Sequence, residues 1–260
     1  MQAIIFDMDG TLIDTERISQ ASWRAAASEL GIEIPERILH AFVGLSMKTA
    51  HTMIDDEFGD PALTDRLFAR RNKIYSDTWI DQLELKPGAR EAIDAVRQRG
   101  LKCALATSSE RDRALFCLDH FALSSAFDAT VFHEDIAHPK PAPDVYLTAA
   151  ERLDVPAHEC GAVEDSFNGI RAAAAAGMAV FMVPDYNAPT PEIESLCTAV
   201  LPSLTKLPDA IDLQLTDQPH HECPAKKQAT PPSAGDPVFI AAGAGRPIMP
   251  QPSPPVSVLR

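Results

Sequence analysis

The chain has 260 residues, of which 45% are hydrophobic, and a formal net charge of −14. This length and apolar fraction predict a soluble protein with a sizeable core, in one large domain or two smaller ones. The negative charge argues against nucleic acid or anionic membranes as partners, because both bind surfaces rich in Lys and Arg. No apolar run reaches the roughly 18 residues of a membrane span, and no cleavable leader precedes the first apolar run. The sequence therefore predicts a cytoplasmic protein that acts on a small molecule.

Short β-rich apolar runs alternate with longer runs of helical periodicity up to residue 215, as in a parallel sheet with crossover helices. The predicted strands are 3–6, 103–106, 129–132, 161–163 and 180–183. The predicted helices between them are 88–100, 110–121, 143–154 and 168–177. We therefore predict an α/β fold, with a Rossmann-like parallel sheet as the core and helices on both of its faces.

Residues 16–80 interrupt this alternation, because they contain several consecutive helical patterns without a strand between them. We predict a helical-bundle cap domain over 15–81, inserted after the first strand, and a core formed by 1–14 and 82–215. An insertion at this point would lie over the carboxyl end of the sheet, where ligands bind in open α/β folds.

The composition changes near Thr216. Ten of the 22 prolines lie from Pro219 onward, among Ala, Gly and Ser, without helical or strand periodicity. Such a segment buries too little apolar surface to offset the entropy of ordering it. We predict that 216–260 is a Pro-rich disordered tail. A functional interpretation is that this tail is an interaction segment that binds a partner.

Two aspartates, Asp7 and Asp9, directly follow the first predicted strand in the stretch FDMDGT. Carboxylates two residues apart on an extended chain share a face and repel each other, and a bound cation between them would remove that cost. Gly10 allows the backbone to turn away beside a ligand. The structural alternative is a simple turn in which an Asp side chain bonds to the nearby backbone.

Three further polar stretches each follow another predicted strand. ALATSS places Thr107 where its hydroxyl and the neighbouring amides can bind phosphate. HPKPAPD presents Lys140 from a loop stiffened by proline, and AVEDSFNG places Glu164 and Asp165 at a strand end. Singly, each has a plain structural explanation, such as a loop hydroxyl, a solvated lysine or acids at a helix start. Their joint occurrence in this order favours one shared site.

The combined residue types suit phosphoryl transfer. Asp7, Asp9 and Asp165 offer the hard oxygen ligands that Mg²⁺ prefers. Thr107 and Lys140 offer a hydroxyl donor and a positive charge for the phosphoryl oxygens. One aspartate can attack phosphorus while the other transfers a proton.

DMDGT, the Thr after CALA, the Lys of KPAPD and the ED of VEDS resemble the four ordered motifs of the haloacid dehalogenase superfamily, over residues 1 to about 213. The resemblance implies that Asp7 is the nucleophile that forms an aspartyl phosphate. It implies that Asp9 protonates the leaving oxygen and then activates water. Haloacid dehalogenases themselves lack the second aspartate as acid and base, so Asp9 argues for phosphate chemistry.

The same resemblance implies how the remaining motif residues act. Mg²⁺ would be bound by Asp7, by the backbone carbonyl of Asp9 and by Asp165, with Glu164 in support. The transferring phosphoryl group would be bound by the residues of the second and third motifs, namely Thr107, Ser108 and Lys140.

The helical insertion is similar to the cap of the subgroup that holds β-phosphoglucomutase-like and phosphoglycolate phosphatase-like enzymes. In the mutases the first cap helix carries a histidine and the cap loop an arginine for the distal phosphate. Ser19 and Met47 stand at those places here, which favours hydrolysis over isomerisation. The cap segment FVGLSMK would face the leaving group, with four candidate specificity residues: Gly44, Ser46, Met47 and Lys48. The alternative is a turn between helices without ligand contact.

The sequence thus predicts a Mg²⁺-dependent phosphatase of small phosphorylated metabolites such as sugar phosphates, acting as a monomer or homodimer. A β-phosphoglucomutase-like phosphotransferase is the alternative enzyme. A second alternative is a binding protein without catalytic activity. A residue competent for catalysis stands at every motif position, which argues against this alternative.

Overall fold

The computed structural model describes residues 1–43 and 47–216. Its sheet has six parallel strands in the order β3-β2-β1-β4-β5-β6. The strands are β1 (Ala3–Phe6), β2 (Lys102–Ala106), β3 (Ala129–Val131), β4 (Cys160–Glu164), β5 (Ala179–Met182) and β6 (Ala199–Val200). The five predicted strands are confirmed to within two residues, and β6 was not predicted.

Four helices follow β1 before β2 begins: α1 (Thr15–Glu29), α2 (Glu36–Ala41), α3 (Met47–Phe58) and α4 (Pro61–Gln82). The helices that accompany the other strands are α5 (Ala89–Gln98), α6 (Arg111–His120), α7 (Asp144–Leu153), α8 (Phe167–Ala175), α9 (Pro191–Leu196) and α10 (Leu207–Thr216). The predicted α/β fold is confirmed. Thr216 belongs to α10, and the rest of the predicted tail lies outside the described residues.

The sheet is buried on both faces because its side chains alternate between two apolar clusters. Ile4 and Phe6 of β1 belong to the cluster beside α5, α6 and α10. Ala3 and Ile5 belong to the opposite cluster beside α7 and α8. This burial explains why the central strands read as continuous apolar runs in the sequence.

A third apolar cluster lies among α1 to α4, within the predicted cap. Trp23 is its largest member, and its ring lies 4.9 Å from that of Phe42 and 4.8 Å from that of Phe68. A separate core of this kind agrees with the cap prediction, whose domain boundaries stay a prediction. None of the helices in the described ranges is long and apolar enough to cross a bilayer.

An ion-pair cluster joins the segment after β3 to α6 and α7. Asp135 accepts hydrogen bonds from Arg111 at 2.6 Å, from Arg152 at 3.0 Å and from the Phe132 amide at 2.9 Å. The hydrogen bond from Arg152 is the main reason that the pKa of Asp135 falls to about 2.

We predict that Asp135→Asn lowers the free energy of unfolding at pH 7 by about 1–2 kcal/mol, as expected for charged hydrogen bonds. The folded pKa lies below the unfolded value of about 3.9, so this stabilisation is present above about pH 4 and is lost as the pH falls towards 2. Urea denaturation of both proteins between pH 7 and pH 3 measures it. Asp209→Asn, at an exposed pair with Lys206, is the control and should change little. An Asp135→Asn effect that stays constant with pH would contradict the ionic origin.

Candidate active site

The site is built at the carboxyl end of the sheet, where β1 lies between β2 and β4. The parallel register aligns Phe6 with Leu105 and with Val163. The residues that follow the three strands therefore emerge side by side. Asp7 continues the ladder, since its amide donates to the Val163 carbonyl at 3.0 Å.

Lys140 lies between two buried carboxylates. Its ammonium donates to Asp7 Oδ1 at 2.5 Å and to Glu164 Oε1 at 2.6 Å, and its side chain is only 7% exposed. Burial alone would lower the pKa of Lys140, but the charges of Asp7 and Glu164 outweigh it and raise that pKa. Lys140 is therefore a fixed positive charge directly beside Asp7.

Glu164 is fully buried and both its oxygens accept hydrogen bonds from the protein. Oε1 accepts from Lys140 and from the Tyr146 hydroxyl at 2.8 Å. Oε2 accepts from the Asp165 amide at 3.1 Å and from the Ser166 amide and hydroxyl at 3.1 and 3.0 Å. These contacts suit a residue that orients Lys140 and the start of α8, as the predicted supporting role requires.

Asp7, Glu164 and Asp165 form an acidic cluster in which one oxygen of each lies within 4.8 Å of the others. The Thr11 hydroxyl donates to Asp165 Oδ1 at 2.8 Å. Burial, followed by the charges of Glu164 and Asp7, raises the pKa of Asp165 well above its usual value. Burial likewise raises the pKa of Asp7 against the opposing charge of Lys140. Buried carboxylates that resist ionisation beside one another fit a divalent cation with oxygen ligands, such as Mg²⁺.

Asp9 points to different partners from Asp7. Its Oδ2 accepts from the Ser109 hydroxyl at 2.6 Å, and its Oδ1 accepts from Arg113 at 2.9 Å. Arg113 also donates to the Tyr75 hydroxyl of α4 at 2.9 Å, so one guanidinium contacts both Asp9 and the predicted cap. Burial would raise the pKa of Asp9, but Arg113 and the Ser109 hydrogen bond outweigh it and lower that pKa.

Thr107 and Ser108 follow β2 as predicted. The buried Thr107 hydroxyl accepts from the Ser109 amide at 3.0 Å and lies 3.5 Å from Asp9 Oδ2. Ser108 is exposed and lines the same cavity. Thr107 therefore lies next to Asp9, and Ser108 lies on the wall of the cavity.

A cavity of about 980 Å³ collects these groups and is lined by residues of both the core and the predicted cap. Among the candidate specificity residues, Met47 lines it, whereas Lys48 is exposed on α3 away from the lining. Gly44 and Ser46 lie outside the described residues. Ser19, at the place of the mutase histidine, also lines the cavity.

Sequence reasoning missed several cavity residues that the fold brings to the site: Ser109, Arg113, Glu16, Arg71 and Tyr75. Ser109 is adjacent to the second motif, so its place in ALATSS was a usable signal. Burial, followed by the charges of Asp9 and Asp185, raises the pKa of Glu16 to about 7. The cavity wall therefore carries an acid that is only partly ionised at neutral pH.

Comparison with protein families identifies the chain. The family model described as haloacid dehalogenase-like hydrolase matches residues 4–183. The chain belongs to the haloacid dehalogenase-like hydrolases.

Several named relatives of this hydrolase are phosphatases. It is 32% identical over 182 residues to the phosphorylated carbohydrates phosphatase of Thermotoga maritima, which covers 68% of this chain and 82% of the relative. It is 33% identical over 211 residues to hexitol phosphatase B of Escherichia coli K12, and the match covers 79% of this chain and 93% of the relative. The prediction of a phosphoric monoester hydrolase is confirmed by these relatives.

A solved structure of β-phosphoglucomutase from Clostridium difficile has the same fold. It superposes with a TM-score of 0.63 at 25% identity and covers 83% of this hydrolase and 99% of the mutase chain. The predicted likeness to the β-phosphoglucomutase-like subgroup is thereby confirmed as well.

Proposed function

We propose that this hydrolase is a Mg²⁺-dependent phosphatase of sugar phosphates or related small phosphate esters, with Asp7 as the nucleophile. The observation that carries the proposal is the convergence of Asp7, Asp9, Thr107, Lys140 and Asp165 on one cavity. An isolated Asp pair could be a turn, but a nucleophile, a fixed cation and an acidic cluster together match the needs of phosphoryl transfer.

In the first step Asp7 attacks phosphorus, so that a bond forms between its carboxylate oxygen and phosphorus while the ester bond breaks. Lys140 and Thr107 bind the phosphoryl oxygens, whose charge must be offset during the transfer. Asp9, which must enter this step in its protonated form, gives its proton to the leaving oxygen. In the second step Asp9 takes a proton from water, whose oxygen displaces Asp7 from phosphorus and releases phosphate.

Asp7, the Asp9 carbonyl and Asp165 would hold Mg²⁺, with Glu164 orienting its neighbours. When bound, the ion supplies positive charge that offsets the repulsion among the carboxylates and the phosphate. The cavity of about 980 Å³ is large enough for a small phosphate ester, because volumes of roughly 300–1,000 Å³ are typical of small-molecule sites. The names of the two phosphatase relatives support carbohydrate or polyol esters.

The fold likeness to β-phosphoglucomutase favours one alternative, a phosphotransferase that isomerises sugar phosphates. Ser19 and Met47 replace the basic residues expected for a distal phosphate in that reaction, which favours hydrolysis. The two activities differ in product, because a bisphosphate activator would give an isomerised sugar phosphate in place of free phosphate. The cytoplasmic location and the monomeric or homodimeric state stay predictions.

The proposed function is tested by measuring phosphate release from sugar, polyol, sugar-acid and nucleotide monophosphates and from p-nitrophenyl phosphate. Each compound is assayed with Mg²⁺ and with a chelator. We expect Mg²⁺-dependent release that is strongest for a carbohydrate-derived ester. Absence of release from every compound, including the aryl phosphate, would refute the phosphatase proposal.

Gly10 provides a test of the proposed metal site. It has a φ of +81°, and a Cβ added to it would lie 2.4 Å from Asp165 Oδ2. We predict that Gly10→Ala displaces Asp165, raises the Mg²⁺ concentration for half-maximal activity by about 10-fold or more, and costs about 1–3 kcal/mol in backbone strain. Mg²⁺ titration of activity and urea denaturation measure the two effects.

Gly31→Ala is the matched control for this prediction. Gly31 has a similar φ of +68°, but an added Cβ meets nothing within 4 Å. Gly31→Ala should therefore lower the free energy of unfolding through the same backbone strain, but it should leave the Mg²⁺ concentration for half-maximal activity unchanged. The same Mg²⁺ dependence in both variants would remove Asp165 from the metal site.

A further inference from the structure

Arg71 is a buried cation of the predicted cap that lines the catalytic cavity. It lies in the middle of α4 and is only 9% exposed. Its guanidinium carbon lies 4.5 Å from the centre of the Tyr75 ring and 5.2 Å from that of Trp23. The two aromatic rings therefore hold the side chain in one place, which is the precondition for specific recognition of a ligand.

The hydrogen-bond partners of Arg71 are neutral. One terminal nitrogen donates to the Ser19 hydroxyl at 2.9 Å and the other to the Asn72 side-chain oxygen at 3.2 Å. The buried Nε has no hydrogen-bond partner among the described residues. Two of the five guanidinium N–H groups are thus used by neutral oxygens, and a second N–H on each terminal nitrogen remains for a ligand.

Arg71 differs from two nearby arginines, each of which forms an ion pair with a carboxylate. Arg70, the next residue, forms an ion pair with Glu29, and Arg113 forms one with Asp9. Within residues 1–43 and 47–216 we find no such pair for Arg71. Glu16 acts on it through space without a direct contact, and its own raised pKa of about 7 makes it an incomplete counter-charge.

A buried guanidinium without a paired anion is unfavourable. Burial lowers the pKa of Arg71, yet an arginine stays protonated in proteins. The cost of burying the charge is offset when an anion enters and completes the pair. The cavity that Arg71 lines is the route by which such an anion can arrive.

The anion in question is separate from the transferring phosphoryl group. In the proposed function that group binds at Asp7, Thr107 and Lys140, on the core side of the cavity. Arg71 lies on the α4 side, next to Ser19 of α1. A substrate that fills the cavity would therefore place its leaving group, and not its scissile phosphate, against Arg71.

We propose that Arg71 binds a second oxyanion carried by the leaving group, so that the preferred substrates are phosphate esters of sugar acids or of similarly anionic sugars. This inference rests on the proposed phosphatase function and narrows its substrate class. Arg71 is then a specificity-determining residue that favours substrates whose leaving group carries a negative charge.

A matched pair of substrates tests the proposal. 6-Phosphogluconate and glucitol 6-phosphate differ only in carrying a carboxylate or a hydroxymethyl group at the end remote from the phosphate. We expect wild-type kcat/KM to be about 10- to 100-fold higher for the acid, the range given by charged hydrogen bonds. Fructose 1,6-bisphosphate against fructose 6-phosphate tests whether a phosphate serves as well as a carboxylate.

Three variants separate recognition from structure. Arg71→Gln should remove the preference by lowering kcat/KM for the acid about 10- to 100-fold and for the polyol by less than about 3-fold. Arg71→Lys, which keeps the charge, should retain part of the preference. Arg70→Gln, on the same helix but paired with Glu29, should leave the preference unchanged.

The outcomes are distinct from failure of the proposed function. Hydrolysis of p-nitrophenyl phosphate and of the polyol without preference for either anion would overturn the inference and leave the phosphatase standing. Equal losses for acid and polyol in Arg71→Gln would also overturn it. If Arg71→Gln does not fold, the inhibition constants of gluconate and glucitol for the wild-type enzyme are compared instead. Equal inhibition by the two compounds would refute the proposal. Absence of any hydrolysis would refute both.

Discussion

Asp7→Asn should abolish phosphate release, with a loss of about 10⁴-fold or more, because the amide cannot attack phosphorus. The fold should persist. Asn has nearly the shape of Asp, and its oxygen can still accept the hydrogen bond from Lys140. The variant also removes a carboxylate whose ionised form is disfavoured by burial. Initial rates on the best substrate and on p-nitrophenyl phosphate, with urea denaturation of both proteins, measure the expected result.

Asp14→Asn is the control for the Asp7 variant, since Asp14 lies close in sequence but does not line the cavity. Its activity should stay within about 3-fold of wild type. Acid quenching during turnover should give a phosphorylated peptide that contains Asp7 in wild type and none in Asp7→Asn. Turnover of Asp7→Asn at a rate comparable to the control would end the assignment of Asp7 as nucleophile.

The residues that local sequence could predict are those that directly follow strands. Asp7, Thr107 and Asp165 each come after a short apolar run, and parallel strands bring such positions to one edge of the sheet. Lys140 was predictable from its place between prolines and from the order of the motifs. For Asp7, Thr107 and Asp165 the distance along the chain to a strand end is enough to place the side chain.

The residues that local sequence could not predict lie on helices. Arg113 on α6 and Arg71 and Tyr75 on α4 reach the site because of how those helices pack. ERDR and ARRN read equally well as solvated helical faces, since periodicity shows which residues share a face but not what that face contacts. Strand β6 escaped detection for a different reason, because two residues are too few to show a period.

Arg113 contacts both Asp9, which the sequence predicted, and Tyr75, which it did not. Asp9 was predicted from its motif, but its surroundings were not. Arg113 favours the ionised carboxylate, which suits the proposed second step, in which Asp9 accepts a proton from water. Tyr75 and Arg71 both lie on α4. One helix of the predicted cap therefore contacts Arg113, the partner of the proposed proton-transfer residue Asp9, and carries the proposed specificity residue Arg71.

Lys140→Met should be the most destabilising of the substitutions considered, and it should also lower kcat by about 10²- to 10³-fold through loss of a phosphoryl-binding charge. The variant leaves Asp7 and the fully buried Glu164 without the ammonium that lies between them. Removing one partner of a buried ion pair costs about 3–5 kcal/mol, because the remaining charge stays buried and unpaired. Urea denaturation at pH 7 without added metal measures the loss of stability.

Lys73→Met is the matched control for Lys140→Met, since Lys73 forms an exposed pair with Asp77 one helical turn away and should contribute less than about 1 kcal/mol. A Lys140→Met protein as stable as the control would mean that Asp7 and Glu164 do not need the ammonium. Asp7 and Glu164 would then share a proton in the variant, because the ammonium that favours their ionised forms in wild type is gone. The stability of this variant therefore tests whether the ammonium of Lys140 compensates the charges of the two buried carboxylates, as the proposed phosphoryl-binding role of Lys140 assumes.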